Sequence, residues 1–192
     1  MTGTFLKNPY FRRLAEDMTR PVALLTSIVF ALAFSIRFYR AHSLFNFLLA
    51  FRFWAMSGFL SNRLPADQSV MLHQRLFAYF SKCIPFFYHA SSPAASGLIR
   101  AIAGPLALAG SLLSTWALFD LGRRFGVAPA RRGDICRTGA YRWLRHPIYL
   151  GYAMVELSGT LLNHLNLPIF LVSMGTLALR AHMENRVLAP NA

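Results

Sequence analysis

Acidic residues, cysteines and charged residues of any kind are scarce in this sequence. Only 7 residues are Asp or Glu, against 20 Lys and Arg, and charged residues make up 14% of the chain, well below the roughly 25% usual for soluble domains. The two cysteines, Cys83 and Cys136, match no metal-binding or redox spacing and are interpreted as free thiols in a reducing compartment. The sequence therefore predicts no metal site, and its low charge argues against a water-soluble globule.

Apolar and basic residues dominate instead. Hydrophobic residues make up 55% of the chain and the mean hydropathy is +0.40, as is typical of membrane proteins. The net charge of +13 would suggest nucleic acid as the partner of a soluble protein, but no zinc-finger spacing or RNA-binding aromatic motif is present. In a membrane protein the same charge is typical of loops that face an anionic cytosolic leaflet. We therefore expect contacts with membrane lipids and no nucleic-acid partner.

The apolar stretches predict an all-α fold, a polytopic transmembrane helical bundle. An amphipathic helix that lies on the membrane surface is expected within residues 1–20. Spans are expected at residues 21–39, 43–60, 98–121, 147–162 and 168–184. Residues 76–90 are aromatic-rich but contain Lys82 and Pro85, so that they either cross the bilayer or lie at its surface. The total is six spans if they cross, and five with the N-terminus outside if they do not.

Residues 122–146 form the most basic segment, with seven arginines and one acid. Because basic loops stay on the cytosolic side, we expect a multi-pass integral membrane protein whose basic loop and C-terminus face the cytosol. The two stretches after this loop predict a C-terminal helical hairpin over residues 147–184. The chain thus divides into residues 1–97, with the amphipathic helix and the first spans, and residues 98–192, with the loop and the hairpin.

Two charged residues lie inside predicted spans, where an ionised side chain is expensive without a partner. Arg52 predicts that its side of the 43–60 helix faces other helices or the interface. Glu156 lies in the first helix of the hairpin. Either Arg52 or Arg100 is its expected partner, or the carboxyl group keeps its proton.

Residues 139–151, GAYRWLRHPIYLG, concentrate polar donors just before an apolar helix. Because the residue before a proline is disfavoured in helical geometry, His146 is expected to be extended and to cap a helix that starts at Pro147. The free N–H groups of that helix start, beside Arg145 and His146, predict an anion site. Gly151 lets a ligand or another helix lie against the backbone. Together these features predict a pocket for a small molecule with a carboxylate or a phosphate.

A second polar motif, RAHMENRVL, ends the last predicted span. Its Arg180 and Glu184 are one helical turn apart and share a face, and the hairpin returns them to the side of the basic loop. The pattern G-x-Y-x-x-x-R-H-P-x-Y-x-G of residues 139–151, together with Arg180, Glu184 and Leu188, resembles the isoprenylcysteine carboxyl methyltransferase family and its phospholipid methyltransferase relatives. The family has a Glu-Glu pair where this chain has Glu184 and Asn185. The resemblance covers about residues 105–188.

The resemblance implies a membrane-embedded enzyme that binds S-adenosylmethionine between the last two helices and the preceding loop, and releases S-adenosylhomocysteine. Residues 98–192 would then be a methyltransferase-like catalytic membrane core. The cofactor-binding residues that the resemblance implies are Tyr141, Arg145, His146, Pro147, Tyr149, Leu150, Gly151 and Glu184. The catalytic residues that it implies are Arg142, Arg180 and Glu184, with one of the arginines holding the anionic group of the acceptor.

The acceptor is expected to be an amphiphile, either a lipid or a prenylated small molecule, whose tail enters from the bilayer. A carboxylate, as in isoprenylcysteine O-methylation, is already ionised at neutral pH and requires no base. A phospholipid amine must first lose a proton, for which Glu156, Glu184 or His146 would serve as the base. Two alternatives stay open: a membrane NADPH-dependent reductase, since membrane sterol reductases share a similar RHPxYxG stretch, and a non-enzymatic membrane protein with a structural basic loop. The sequence chooses neither the acceptor nor the oligomeric state.

Overall fold

The computed structural model describes residues 9–89, 92 and 95–189, with side chains from Thr19 onward. The described residues are mostly helical and form six α-helices and one two-stranded antiparallel sheet. The helices are α1 (Pro9–Ala41), α2 (Leu44–Ser61), α3 (Leu72–Ser81), α4 (Gly97–Leu121), α5 (Pro147–Leu162) and α6 (Leu167–Leu188). Strand β1 (Gln68–Ser69) pairs with β2 (Ala130–Arg131), and short 3-10 turns occupy Ile84–Phe87, Gly122–Arg124, Gly139–Arg142 and His164–Asn166.

Three helical segments of the described chain are long and apolar enough to cross a membrane: Thr19–Ala41, Leu44–Ser61 and Gly97–Arg124. They agree with the spans predicted over residues 21–39, 43–60 and 98–121. The amphipathic helix predicted for residues 1–20 lies partly outside the described residues, and from Pro9 onward the backbone is continuous with α1. α5 has 16 residues, which at 1.5 Å each give about 24 Å, shorter than a hydrocarbon core of about 30 Å.

The chain connects the two ends of the helical bundle through residues 70–92. At one end, here called the basic end because it carries residues 122–146, Ser69 pairs with Ala130. At the opposite end the Ser92 N–H donates to the Leu162 carbonyl at the end of α5, over 3.0 Å. Between these points the chain forms α3 and then the turn Ile84–Phe87, and not one continuous helix. Pro85 lies in this turn, and a proline cannot be accommodated in a helix interior without breaking or kinking it.

α4 and α5 approach each other closely at two glycines. A Cβ added to Gly110 would lie 2.6 Å from the Gly151 carbonyl oxygen, and one added to Gly151 would lie 2.6 Å from the Gly110 carbonyl oxygen. Ser114, which is also buried, continues this contact one turn along α4. Small residues therefore permit close packing of α4 on α5 at Gly110 and Ser114, whereas Gly104 faces open space.

The two charged residues inside the predicted spans have different surroundings. Arg52 faces the interior, as predicted: its side chain is 9% exposed and donates to Ser114 Oγ over 2.9 Å. The expectation that Arg52 or Arg100 pairs with Glu156 is wrong. Glu156 instead accepts a hydrogen bond from the Tyr88 hydroxyl over 3.2 Å, because the turn after α3 brings Tyr88 against α5 near the opposite end of the bundle.

The basic segment is held by the connection between α2 and α3. Arg123 donates Nε–H to the Asn62 carbonyl over 2.7 Å, and the Gly133 N–H donates to Asp67 Oδ2, also over 2.7 Å. The β1–β2 pairing lies between these two contacts. The loop therefore has a defined path across the basic end of the bundle, and this path places residues 139–146 beside the end of α6.

Candidate functional site

A cavity of about 640 Å³ lies at the basic end, between the basic loop, the start of α5 and the end of α6. Its volume is in the range of small-molecule sites, roughly 300–1,000 Å³. Both sequence motifs contribute to its wall. The residues from them are Tyr141, Arg142, Trp143, Leu144, Arg145, His146, Tyr149, Glu184, Asn185 and Leu188.

His146 joins the two motifs across this cavity. It is the N-cap residue of α5, as predicted, with Pro147 in the first turn. Its φ of −135° and ψ of 63° are non-helical but not the extended conformation that the sequence predicts, and its side chain forms no capping hydrogen bond. Nε2 of its ring lies 3.0 Å from Asn185 Oδ1, and Nδ1 lies 3.8 Å from Glu184 Oε2. Both imidazole nitrogens thus face the end of α6: Nε2 faces the Asn185 amide, and Nδ1 faces the Glu184 carboxylate.

Tyr149 forms the second link between the motifs. Its hydroxyl donates to Glu184 Oε2 over 2.8 Å, and its ring stacks on the imidazole of His146 with a centroid distance of 5.5 Å. Residues 146 and 149 share a face because they are three positions apart at the start of α5. The Glu184 carboxylate, whose side chain is 25% exposed, is therefore hydrogen-bonded by Tyr149 and lies beside the His146 ring.

Arg180 is buried one turn before Glu184 but is not paired with it. Its Nη2 donates to the Val127 carbonyl over 2.8 Å, and its guanidinium lies over the Tyr149 ring at 5.3 Å. Among the residues that the structure describes, its Nε has no hydrogen-bond partner. Arg180 also lines a smaller cavity of about 40 Å³, whose wall includes Tyr141, His146, Tyr149 and Glu184 and so adjoins the main cavity.

Tyr141 is positioned from the end of α4. The Ala140 N–H donates to Asp120 Oδ2 over 2.7 Å, and Gly139, with a φ of +54°, lies so close to this carboxylate that a Cβ would overlap it. The short turn that follows carries Tyr141 to the boundary of the two cavities. Burial, and then the Glu184 carboxylate, raise the pKa of the Tyr141 phenol, which therefore stays a neutral hydrogen-bond donor.

The remaining predicted residues have different positions. Arg142 and Arg145 are exposed at the rim of the cavity, and the Arg142 guanidinium lies 5.3 Å from the centroid of the exposed Trp143 ring. Pro147 is buried at the start of α5. Leu150 is 44% exposed and Gly151 faces α4, so neither lines the two cavities described above.

The chemistry of the wall fits S-adenosylmethionine, which combines a carboxylate, an ammonium, a sulfonium and an adenosine. Arg142 and Arg145, at the rim of the main cavity, suit the carboxylate. Glu184 suits the ammonium or a ribose hydroxyl, and the face of Tyr141 suits a sulfonium cation.

Asp120 is a positioning residue that the sequence does not reveal. It is a single acid in an apolar helix end, and only the fold brings it under residues 139 and 140. Asn185, in contrast, is visible in the sequence as a departure from the family pattern, and the structure places it in direct contact with His146.

Comparisons with known proteins agree with the two motifs. No curated protein and no solved structure matches the chain. The model of the isoprenylcysteine carboxyl methyltransferase (ICMT) family matches residues 103–190, the segment that contributes most of the cavity wall. This match confirms the resemblance to the family that residues 139–151 and 180–188 predict, and it supports a methyltransferase in a membrane.

Proposed function

We propose that this protein transfers a methyl group from S-adenosylmethionine to the anionic group of an amphiphilic acceptor, a carboxylate as in isoprenylcysteine O-methylation. The observation that carries the proposal is the convergence of His146, Tyr149 and Glu184 on one cavity of about 640 Å³. The family match adds the reaction class. S-adenosylmethionine, when bound, supplies a methyl group whose bond to sulfur breaks as an acceptor oxygen attacks it, the electron pair remaining on sulfur.

The protein side chains then have to bind and orient the cofactor and the acceptor and to exclude water, since such a displacement needs alignment more than covalent help. His146, Tyr149 and Glu184 line one side of the cavity and would hold the cofactor at the basic end. Tyr141, a neutral donor between the two cavities, separates the cofactor space from the space beside Arg180. Arg180, with a free Nε among the described residues, orients the acceptor's anionic group.

Phospholipid N-methylation is a less direct fit. An amine acceptor requires a base, and of the three predicted candidates Glu156 lines neither cavity and is engaged by Tyr88. Glu184 and His146 line both cavities, but they contact each other and their neighbours on α5 and α6. A carboxylate acceptor needs no base, because it is already ionised at neutral pH.

For the membrane arrangement we propose six crossings with the basic end in the cytosol. α1, α2, α4, α5 and α6 each run between the two ends of the bundle, and residues 70–92 complete the count with a helix and a turn. The seven arginines of residues 122–146 favour the cytosolic side.

The first test is S-adenosylhomocysteine binding by the purified protein, measured by isothermal titration calorimetry. We expect His146→Ala and Glu184→Gln each to weaken binding on the order of tenfold or more, because each removes a charged or polar contact of the wall. His182→Ala is the matched control, since His182 is exposed on the same helix. Unchanged binding in both site variants overturns the cofactor assignment.

The second test identifies the acceptor. Membranes that contain the protein are incubated with methyl-labelled S-adenosylmethionine, and the lipid, protein and volatile fractions are separated. Label released by mild base as methanol indicates a carboxyl methyl ester, whereas base-stable label in phospholipid indicates N-methylation. Thermal stabilisation by NADPH but not by S-adenosylhomocysteine would favour the reductase instead.

A further inference from the structure

Three basic side chains from three separate elements lie together in the interior behind the small cavity. Arg52 comes from α2, Lys82 from the turn after α3, and Arg180 from α6. Arg52 and Arg180 are 9% and 7% exposed, and Nζ of Lys82 is buried without a hydrogen-bond partner among the described residues. Arg52 and Lys82 both lie outside residues 103–190, the part of the chain that the family model matches.

Aromatic rings connect these cations to each other and to the cavity. The Arg52 guanidinium lies 5.2 Å from the centroid of the Phe53 ring, and the Lys82 ammonium lies 5.9 Å from the same centroid. The Arg52 guanidinium also lies 5.1 Å from the centroid of Tyr152, and Tyr152 lines the small cavity together with Arg180. The cavity therefore has one cation in its wall, a second behind Tyr152 and a third beyond Phe53.

No acid of the described chain neutralises this group. Neither Arg52, Lys82 nor Arg180 forms an ion pair among the described residues, and the only acid that lines the small cavity, Glu184, is engaged by Tyr149 and His146. The charges of Arg180 and Arg52 also repel the Lys82 ammonium. A protonated Lys82 thus destabilises the fold, and such an arrangement is typical of a site that awaits an opposite charge.

We propose that Arg52 and Lys82, together with Arg180, hold the anionic group of the acceptor by attracting it into the small cavity beside the cofactor space. The inference rests on the proposed function for the identity of the reaction, and it adds two residues of the N-terminal half. With about 40 Å³, the cavity has room for a few water molecules or for a group of similar size, such as a carboxylate or one face of a phosphate. Arg180 touches the anion, and Arg52 and Lys82 act on it through the electric field across Phe53 and Tyr152.

The proposal is tested by ligand binding without the cofactor, on the full chain in phosphatidylcholine nanodiscs, which carry no net lipid charge. Three probes share one tail: farnesylthioacetate has a carboxylate, farnesyl monophosphate a phosphate, and farnesol neither. The variants are Lys82→Met and Arg52→Met, which keep an unbranched apolar side chain. Arg37→Met is the matched control, because Arg37 also lies over an aromatic ring, that of Phe34, but is exposed on the outer surface.

We expect at least one anionic probe to bind the parent protein about tenfold or more tightly than farnesol. Lys82→Met and Arg52→Met should each remove most of this preference and leave farnesol binding unchanged, and Arg37→Met should change nothing. A preference for the carboxylate indicates a prenyl or fatty acid as the acceptor, and a preference for the phosphate indicates a phospholipid headgroup. Lys82→Met should also raise the unfolding temperature, since a merely structural lysine would lower it when removed.

Equal binding of all three probes by the parent overturns the proposal without any variant, so that a variant that fails to fold does not weaken the test. An anion preference that survives in both folded variants overturns the roles of Arg52 and Lys82. S-adenosylhomocysteine binding is measured on the same preparations. Its absence in the parent would overturn the proposed function, whereas normal S-adenosylhomocysteine binding without any anion preference would overturn only this inference.

Discussion

His146 and Asn185 are in direct contact in the cavity wall, with His146 Nε2 3.0 Å from Asn185 Oδ1. The contact joins the N-cap of α5 to the last turns of α6, and it occupies the position where the family pattern has a second carboxylate. An amide satisfies the imidazole without adding a negative charge. Of the two positions that are acidic in the family pattern, only position 184 carries an acid in this chain. The cavity wall is therefore less negative than the family pattern implies.

The first prediction concerns this amide. Asn185→Leu removes the acceptor for His146 and leaves the imidazole free to rotate, so that S-adenosylhomocysteine affinity should fall on the order of tenfold, the value of about one hydrogen bond at a partly buried site. Asn185→Asp keeps an oxygen at the same place and should bind within about threefold of the parent. Calorimetry on both variants checks this, and parental affinity in the leucine variant would contradict a role for the contact.

The second prediction concerns the hydroxyl of Tyr149. Tyr149→Phe removes the hydrogen bond to Glu184 but keeps the ring over Arg180, so the carboxylate should lose orientation and S-adenosylhomocysteine affinity should fall by about tenfold. Tyr152→Phe is the matched control, because the Tyr152 hydroxyl has no hydrogen bond in the described part of the chain. Comparable losses in the two variants would show that the Glu184 contact has no special part in binding.

The third prediction compares two glycines with positive φ in the basic loop. Gly139 has φ +54° and lies against the Asp120 carboxylate, whereas Gly133 has φ +68° and open space around it. Gly133→Ala should lower the free energy of unfolding by only about 1 kcal/mol, the cost of the left-handed conformation. Gly139→Ala should lower it further and also displace Tyr141, because Asp120 must move. Chemical unfolding and calorimetry check both, and equal effects in the two variants would argue against the Asp120 anchor.

The sequence is sufficient for those parts of the site that depend on local rules. The proline after His146 determines where α5 begins, and the helical spacing of Arg180 and Glu184 places both on α6 near the basic end. It is insufficient where a contact depends on packing between distant segments. The hydrogen-bond partners of Glu156 are Tyr88, which a turn after α3 brings to α5, and Ser173 of α6. Asp120 acts on residues 139 and 140, about twenty positions later. Single-residue chemistry predicts that these acids need partners, but only the fold determines which partners they have.

The fourth prediction separates packing from cofactor binding at Gly151, which the resemblance assigned to the cofactor. A Cβ there would lie 2.6 Å from the Gly110 carbonyl oxygen, so Gly151→Ala should push α4 and α5 apart and lower the free energy of unfolding by about 1–3 kcal/mol. Gly104→Ala on α4, which has nothing within 4 Å of the added atom, should be neutral or slightly stabilising. A loss of S-adenosylhomocysteine binding at unchanged stability would restore the cofactor role of Gly151.

The fifth prediction concerns the buried ammonium of Lys82. Lys82→Met removes a buried cation that has no hydrogen-bond partner among the described residues, so the variant should be more stable than the parent. Urea unfolding in nanodiscs measures the difference, with Arg37→Met as the control that should unfold at the same urea concentration as the parent. A parent more stable than Lys82→Met would mean that the buried ammonium has a stabilising partner, and the interior cations would then be part of the scaffold and not an acceptor site.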